Sequence, residues 1–358
     1  MKLNTEIHVF SRVRFLDILL FAKHLAVMIR SGITVSEALE ILTAEARSAK
    51  FRHILSQVLS DVRNGASLAD ALGKHPRAFD EMFLSLVSIG EASGTLRENL
   101  EFLALQLAKE RSIRQKIRGA MLYPLIVFVA TTVMGGFIAL FVLPQLVDFF
   151  AAFEVELPLA TRILLFVANL MKNYGVFIVA GAVLVFVLFL LTVRSRPVKP
   201  LWHRFLLSLP IVGRFLADVQ LARFTRNFGI LLRSAVPVVK GLEVTAGTLS
   251  NLKFRSDLLA VADLLARGTS IADALSDERF SEFPPLVSKM ILVGERTGRL
   301  HEVLLYLGDF YEEEIDTFTK NLTTTLEPLL LLGIGLIVAF VALAIISPIY
   351  ELTGSISR

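Results

Sequence analysis

The sequence repeats one pattern of glycines, acids and prolines at a separation of 204 residues. Gly90-Glu91-x-x-Gly94-x-Leu96 is followed by Tyr123-Pro124 and Pro144, and Gly294-Glu295-x-x-Gly298-x-Leu300 is followed by Glu327-Pro328 and Pro348. The differences 295 − 91, 328 − 124 and 348 − 144 are all 204. The two prolines of each copy lie 20 residues apart, which is about 30 Å of helix and the thickness of a bilayer's hydrocarbon core. The pattern therefore predicts two helical units that each lead into a membrane span.

The composition indicates a membrane protein with sizeable water-facing parts. Hydrophobic residues make up 54% and charged residues 20% of the 358 positions, and the mean hydropathy of +0.64 is too apolar for an ordinary soluble domain. The net charge of +4 favours contact with anionic lipid or an acidic partner and gives no sign of direct nucleic-acid binding. The sequence has no cysteine, which excludes disulfides and thiolate metal sites.

Residues 15–118 carry the pattern of a helical bundle. Apolar residues recur at helical spacing from Phe15 to Ile29, and capping signals of the form Ser/Thr-x-x-Asp/Glu begin at Thr34, Ser67 and Thr95. No stretch alternates polar and apolar residues as a strand would. We therefore predict an all-α bundle of about six short helices. The N-terminal tail before it, residues 1–14, lacks the apolar core of a signal peptide.

Residues 218–322 predict a second, homologous six-helix bundle. Phe224–Val238 matches Phe21–Val35, and Ser270–Leu275 matches Ser67–Leu72, both at an offset of 203. The later motifs are offset by 204, so the second copy contains one additional residue after its Ser-Ile-Ala-Asp-Ala-Leu segment.

Three apolar segments are predicted to cross a membrane: residues 119–143, residues 162–193 with an interfacial start, and residues 323–350. The segment 144–161 holds three acids and no Lys or Arg, whereas basic residues crowd the other ends of the first two spans. Those basic residues are Arg111, Arg114, Lys116 and Arg118 before the first span, and Arg194, Arg196 and Lys199 after the second. By the positive-inside rule both bundles and the linker 194–217 are cytoplasmic, and 144–161 and the tail 351–358 are external.

The sequence holds no constellation that indicates an enzyme, a cofactor or a metal centre. The six histidines are scattered without ligand spacing. Gly73-Lys74 is not a phosphate-binding loop, because His75 stands where Ser or Thr is required. The acidic cluster at 312–316 is interpreted as a solvated helix face, with docking of a basic partner or a loosely held divalent cation as alternatives.

The acids of the repeated motif admit both a structural and a functional interpretation. Glu91 and Glu295 either brace a helix turn within their own bundle or contact a partner. At the span entries Tyr123-Pro124 and Glu327-Pro328, the carboxylate is expected to meet protein, water or a cation. A hydrogen bond from the tyrosine to the glutamate is the favoured arrangement, and proton relay or interfacial exposure are the alternatives. Each proline either kinks its span or opens it as a first-turn residue.

Both copies also begin alike, since Leu25–Ile33 and Phe228–Val236 each end in Ser-Gly/Ala-Ile/Val. With the twin Gly-Glu turns and Pro-marked entries, the chain from Phe15 to Leu352 resembles the type II secretion F family. The second copy departs from the first by Ala235 in place of Gly32. Many family members also carry an additional N-terminal segment.

The resemblance implies a non-enzymatic platform in the bacterial inner membrane, within a type IV pilus or type II secretion machine. The implied partners are a cytoplasmic hexameric ATPase, pilin or pseudopilin, other inner-membrane assembly proteins and lipid. A homodimer is expected separately, because the spans are rich in small residues that let membrane helices approach closely. The duplicated bundles would present a quasi-symmetric surface to the ATPase ring, and the spans would face pilin helices. We expect Arg47, Lys50 and Arg52 to form the ATPase-docking surface.

A membrane transporter with paired cytoplasmic regulatory bundles is the alternative function. A transporter would place ionisable groups near mid-membrane, and the predicted spans carry none away from their entries. Flux measurements in proteoliposomes would separate the two functions, and loss of surface filaments or secretion on deletion would support the platform.

Overall fold

The computed structural model describes residues 13–138, 159–195 and 198–356, and within those ranges it contains helices and turns but no β-strand. This confirms the all-α prediction. Most of the predicted tail 1–14 and of the predicted external loop 144–161 lies outside the described residues.

Fourteen α-helices follow one another in the described part of the chain. The first repeat comprises α1 (Phe15–Arg30), α2 (Val35–Glu45), α3 (Ala49–Arg63), α4 (Leu68–Gly73), α5 (Glu81–Ser93) and α6 (Leu96–Phe137). Two helices follow it: α7 (Leu159–Arg194) and α8 (Val198–Ser208). The second repeat comprises α9 (Val212–Arg233), α10 (Val238–Thr248), α11 (Leu252–Ala266), α12 (Ile271–Leu275), α13 (Pro285–Thr297) and α14 (Leu300–Ile356), with a 3-10 turn at Glu278–Phe280.

The helices of the two repeats begin in the same register as the sequence motifs. The starts of α2 and α10, and of α3 and α11, differ by 203 (238 − 35 and 252 − 49), whereas those of α5 and α13, and of α6 and α14, differ by 204 (285 − 81 and 300 − 96). The extra residue of the second repeat therefore lies between α12 and α13, in the segment that holds the 3-10 turn.

Side-chain caps start several of these helices where the sequence signals them. The hydroxyl oxygens of Thr34, Ser67 and Ser270 accept hydrogen bonds from the backbone N–H three residues later, at 3.3, 3.0 and 3.0 Å. Each bond satisfies an N–H that has no partner within its helix. Thr95 differs, because its hydroxyl hydrogen-bonds with the hydroxyl of Ser93 at 2.7 Å.

Each repeat buries a cluster of phenylalanines at equivalent positions. The rings of Phe79 and Phe83 lie 4.9 Å apart and those of Phe21 and Phe79 lie 5.6 Å apart. In the second repeat the ring of Phe283 lies 5.5 Å from Phe224 and 5.3 Å from Phe254. Aromatic burial of this kind is a large part of the hydrophobic stabilisation of a small helical unit.

The two repeats pack into one compact unit, formed by residues 13–114 and His203–Ile315. The buried core of the first repeat continues into the second through Ile230, Leu231, Val236 and Val244. Residues 15–118 and 218–322, which the sequence divided into two bundles, thus share a core. The other compact unit contains the described residues of Gln115–Trp202 and Asp316–Arg358.

The other unit consists of apolar helices with exposed apolar side chains. Phe128, Val133 and Leu332 are 65%, 67% and 64% exposed, as expected for side chains that face lipid. Two helical segments of the described residues, Leu96–Phe137 and Leu300–Ala344, are long and apolar enough to cross a membrane. They contain most of the first and third predicted spans, and α14 continues as a helix to Ile356, into the predicted tail.

The predicted second span, residues 162–193, lies within the single helix α7, where Leu184–Val193 is an apolar but shorter stretch. Within the described residues, α8 and α9 would form a third spanning segment only if the two helices were one span, but they meet at a bend of 108°. In addition, α9 buries Gln220, Arg226 and Asn227 within the unit of the repeats. Polar side chains of this kind indicate a helix packed in protein rather than in lipid.

Candidate docking surface

Glu91 and Glu295 brace the short fourth helix of their own repeats. Each carboxylate accepts two backbone N–H bonds from the first turn of that helix, α4 or α12. The donors are Leu68 (2.6 Å) and Ala69 (2.8 Å) for Glu91, and Ile271 (2.8 Å) and Ala272 (3.2 Å) for Glu295. The first N–H groups of a helix lack internal partners and carry its positive dipole end, so a carboxylate suits them well. The glutamates thus have a structural task that the two repeats share.

The glycines of the motif permit a tight turn between the last two helices of each repeat. A Cβ atom on Gly90 would lie 2.7 Å from the Cα atom of Leu96, and one on Gly294 would lie 2.9 Å from that of Leu300. Gly94 and Gly298 have φ angles of +72° and +70° and end α5 and α13 in the left-handed conformation. The glycines and the glutamate of the Gly-Glu-x-x-Gly-x-Leu motif therefore all have a structural role in the backbone of their own repeat.

The two span entries are exposed in the described structure. Pro124 lies inside the continuous helix α6, and the Tyr123 side chain is 40% exposed. Glu327 is also exposed, and no hydrogen bond between Tyr123 and Glu327 is present among the described residues. The favoured pairing of these two side chains stays a prediction.

The predicted docking residues lie together around the junction of α2 and α3. Arg47, Lys50 and Arg52 are all exposed. The guanidinium of Arg52, however, donates two hydrogen bonds to the carbonyl oxygen of Ala46, at 3.2 and 2.7 Å from its Nε and Nη2 atoms. Ala46 follows the end of α2, so Arg52 also satisfies a C-terminal carbonyl of that helix. Arg47 and Lys50 have no ion-pair partner among the described residues.

A basic groove adjoins these residues. Lys50 lines it together with Lys74, Arg77 and Arg114, and its volume is about 1020 Å³. His53 and His75 also line the groove, and no acid does so among the described residues. Burial lowers the pKa of His75, with Asp61 opposing the shift, so this imidazole is uncharged at neutral pH. The unpaired positive charge of the groove comes from Lys50 and Arg77, because Lys74 pairs with Asp61 and Arg114 with Glu110. This charge suits an acidic partner.

Sequence reasoning missed Lys74, Arg77 and Arg114 as part of this surface. The run Lys74-His75-Pro76-Arg77 in the turn after α4 is a local signal of a basic surface, but its distance from Lys50 along the chain hides the grouping. The second repeat has Asp277-Glu278 at the corresponding turn. Its counterpart of Lys50 is Lys253, whose ammonium pairs with Asp257 at 2.8 Å. Within the described residues, the second repeat therefore has no basic groove at the equivalent position.

The second repeat contacts the first mainly through α9 and α10. Gln106 on α6 donates a hydrogen bond from its Nε2 atom to the Oδ1 atom of Asn227 at 2.5 Å. The guanidinium of Arg233 lies 4.4 Å from the ring centroid of Phe102, and Lys240 pairs with Glu81 at 3.1 Å. Apolar packing, a buried polar bond and a cation–π contact thus fix the two repeats against each other.

A charged network completes this contact. The Arg226 side chain is only 10% exposed and its guanidinium binds Glu312 at 2.8 Å and Asp309 at 2.5 Å. Lys109 of the first repeat reaches the same Glu312 at 2.7 Å. Two cations of different repeats therefore share one carboxylate. Within the acidic cluster at 312–316, Asp316 pairs with Lys116, so two members of that cluster form ion pairs inside the chain.

Comparison with known proteins agrees with the duplication. The model of the family described as "Type II secretion system (T2SS), protein F" matches this chain twice, over residues 21–144 and 224–348. The type IV pilus assembly protein PilC of Thermus thermophilus is 35% identical over 341 residues, which cover 95% of this chain and 84% of the relative. The type II secretion system protein F of Pseudomonas aeruginosa is 33% identical over 336 residues, with 94% and 82% covered.

A third relative is the type IV pilus assembly protein PilC of Myxococcus xanthus, which is 33% identical over 347 residues and covers 97% of this chain and 83% of its own length. The two matched segments contain both Gly-Glu turns and both Pro-marked span entries. The chain therefore belongs to the type II secretion system protein F family.

Proposed function

We propose that this chain is a non-enzymatic platform protein of the bacterial inner membrane, working in a type IV pilus or type II secretion machine. Three spans, at residues 119–143, 162–193 and 323–350, would hold the unit of the two repeats on the cytoplasmic side. The observation that carries the proposal is the family match over both repeats, together with exposed apolar helices that follow each of them. The excess of basic residues at the cytoplasmic ends supports this orientation.

On this proposal the unit of the repeats receives a cytoplasmic hexameric ATPase, and the apolar helices guide pilin or pseudopilin from the membrane into a filament. The basic groove supports an acidic docking partner, because Lys50 and Arg77 line it with no ion-pair partner among the described residues. The other two cations of the groove are paired, Lys74 with Asp61 at 2.9 Å and Arg114 with Glu110 at 2.5 Å. Electrostatic attraction of this kind accelerates encounter and sets orientation. Other inner-membrane assembly proteins and a second copy of the chain complete the proposed set of partners.

The docking surface is tested by charge reversal in the full-length protein. Arg47→Glu, Lys50→Glu and Arg77→Glu together should reduce co-purification of the assembly ATPase by roughly tenfold, with a stronger effect at low salt. Arg52 is left unchanged, because its loss would also remove the bonds to Ala46. The matched control is Arg267→Glu, an exposed arginine of the second repeat.

Unchanged ATPase recovery with the triple variant would remove the groove from the proposal. The wider function is tested by deletion of the gene in its host, with surface filaments and secreted proteins as the readouts. Normal filaments and normal secretion in the deletion strain would contradict a platform role. Solute flux through proteoliposomes that contain the purified chain should not exceed that of empty vesicles.

A further inference from the structure

The two repeats contact each other mainly through different helices. The faces of each repeat that are equivalent to the other repeat's contacting faces are not used in this contact among the described residues. The first two helices of the second repeat, α9 and α10, cover α5 and α6 of the first. The equivalent contact would place α1 and α2 of the first repeat on α13 and α14 of the second. The described residues show no such contact, so one face of α1 and one face of α13 and α14 have no cover from the other repeat in the described part of the chain.

The α1 face comprises Leu16, Leu20, Lys23, His24, Val27 and Arg30, which form one stripe along the helix. Leu16, Leu20 and Val27 are 36%, 40% and 43% exposed. Their equivalents on α9, at an offset of 203, are Val219, Arg223 and Ile230, and the first and last of these are only 6% and 4% exposed. The same helix positions are thus buried in one repeat and open in the other.

The α13–α14 face comprises Leu286, Val293, Tyr306, Phe310 and Glu313. Leu286, Val293 and Tyr306 are 45%, 51% and 62% exposed. Their equivalents in the first repeat, at an offset of 204, are Met82, Ile89 and Phe102, all of which pack in or against the shared core. Met82 is only 4% exposed. Large apolar side chains on both open faces mark them as interaction surfaces.

We propose that the α1 face of one chain docks on the α13–α14 face of a second copy, and repeats between molecules the contact that joins the two repeats within one chain. Each uncovered face of one chain would therefore be covered by the other kind of uncovered face of a second chain. This proposal names the surfaces through which the second copy in the proposed function would bind. It rests on the proposed function only for the role of that contact in the cell.

The side chains of the two open faces complement each other at the positions that the internal contact uses. Arg233 lies over the ring of Phe102, and the equivalent pair is Arg30 with Tyr306, which can make the same cation–π contact. Asn227 and Gln106 are hydrogen-bonded, and the equivalent pair is His24 with Phe310, an aromatic pair.

Charged residues at the equivalent positions of the two open faces are also complementary. Arg226 and Lys109 are held together by Glu312 between them. In the intermolecular contact their equivalents are Lys23 and Glu313, and the position of the bridging acid is taken by Ala108. Where the internal contact has two cations bridged by an acid, the intermolecular contact would have the cation Lys23 opposite the acid Glu313. Lys240 and Ser85 line a common groove, and their equivalents Glu37 and Lys289 are again opposite charges.

The geometry of this contact is head-to-tail, because the two faces are different surfaces of the chain. Such a contact leaves one open face of each kind after two copies have joined. It either closes into a ring or continues to grow, and it is distinct from a two-fold dimer in which one face meets itself.

Cysteine cross-linking tests the contact directly, since the natural chain contains no cysteine. Two full-length single variants, His24→Cys and Phe310→Cys, are reconstituted together in proteoliposomes and oxidised. A disulfide-linked dimer should form in the mixture, and neither variant should form one alone. Arg30→Cys mixed with Tyr306→Cys provides a second pair at exposed positions, where the change at Arg30 removes an exposed ion pair with Glu101.

The double variant Gln106→Cys with Asn227→Cys is the matched control, because it should form the same bond within one chain. Cross-linking of that control without cross-linking in either mixture would overturn the proposal. Efficient self-cross-linking of one single variant would also overturn it, because that result requires a two-fold contact or another partner face.

Charge exchange gives an independent test. Lys23→Glu or Glu313→Lys should each weaken self-association of the full chain in detergent by roughly tenfold, and the double exchange should restore it. Asp263→Lys, on an exposed position of α11, should leave it unchanged. Equal loss in the single and double variants would contradict a direct pairing. Because these experiments contain neither ATPase nor pilin, they can fail while the platform role stands, and a deletion strain with normal filaments would refute that role without affecting them.

Discussion

The two repeats share one backbone and carry different surfaces. Each has a Gly that allows close helix approach, a Glu that caps the short helix and a left-handed Gly that ends the next one. The first repeat adds the basic groove and an open first helix, whereas the second has Asp277-Glu278 in the same turn and buries its first helix. The two repeats thus agree at the positions that shape the backbone and differ in residue type and exposure at positions that face outward.

The largest expected effect concerns the buried network around Arg226, which has no counterpart at the equivalent Lys23 among the described residues. Arg226→Ala leaves Glu312 and Asp309 with Lys109 as their remaining cation, and breaking a largely buried ion pair should cost about 3 kcal/mol of stability. Thermal unfolding of the purified chain in detergent measures this loss. Lys23→Ala, at the equivalent exposed position of α1, should leave the unfolding temperature almost unchanged. Equal losses at both positions would mean that the two first helices do not differ in their surroundings.

The close helix crossing gives the next largest effect. Gly90→Ala places a Cβ atom 2.7 Å from the Cα atom of Leu96, and relief of this clash requires a backbone shift that costs about 2 kcal/mol. Gly294→Ala, with 2.9 Å to Leu300, should cost slightly less. Gly73→Ala is the control, because the nearest atom to its new Cβ would be 4.0 Å away. Denaturant unfolding should rank the three variants in this order.

A smaller effect depends on pH and contrasts Asp218 with its equivalent Phe15. Burial raises the pKa of Asp218 to about 6, with Glu314 adding to the shift and Arg214 opposing it. The folded protein thus holds this proton more tightly than the unfolded chain, whose carboxyl has a pKa near 3.8. Stability contributed by the protonated group is present below about pH 4 and is lost as the pH rises through 6.

Asp218→Asn should therefore stabilise the chain at pH 7 by about 1 kcal/mol, after allowance for the half-exposed position. The variant and the natural protein should unfold alike below about pH 4. Unfolding temperatures measured across this range provide the test. A constant difference at every pH would show that the carboxyl proton is not involved.

The smallest effect concerns the end of the first helix in each repeat. Gly32 has a φ angle of +83° and Ala235 has one of +60°, a conformation that costs an L-amino acid about 1–2 kcal/mol. Ala235→Gly should stabilise the protein by roughly 0.5 to 1 kcal/mol, because the gain exceeds the entropy cost of glycine. Gly32→Ala should destabilise it by a similar amount, since no neighbouring atom lies within 4 Å of the new Cβ. Opposite signs in calorimetry would support this pair of expectations.

Much of the architecture could be predicted because it rests on local signals. The apolar spacing, the Thr34 and Ser67 caps and the 204-residue register indicate helices and a duplication without tertiary information. The packing of the repeats could not be predicted in this way. Arg226 and Asn227 are polar residues on an amphipathic helix, and sequence gives no reason to place them 8% and 4% exposed while Lys23 and His24 stay open.

The grouping of basic residues at the proposed docking surface was predictable only in part for the same reason. Lys50 and Arg47 are exposed as expected, but Lys74, Arg77 and Arg114 join them through tertiary packing. Arg52 shows the opposite case, since its charge suggested a partner and its guanidinium instead binds the end of α2. A charge count along the chain does not distinguish a guanidinium that caps a helix from one that is available for docking.

The glutamate braces also set off the turn that follows the short fourth helix of each repeat. Glu91 binds the chain 23 residues before it, and Glu295 binds the chain 24 residues before it. Each carboxylate thus ties the start of the fourth helix of its repeat to the fifth helix, and the turn between these two helices can change without disturbing them. The additional residue of the second repeat and the exchange of Lys74-His75 for Asp277-Glu278 both fall inside this turn. The two turns can therefore differ in sequence and charge while the helices around them stay the same, and on the proposed function grafting one turn onto the other repeat would redirect a partner.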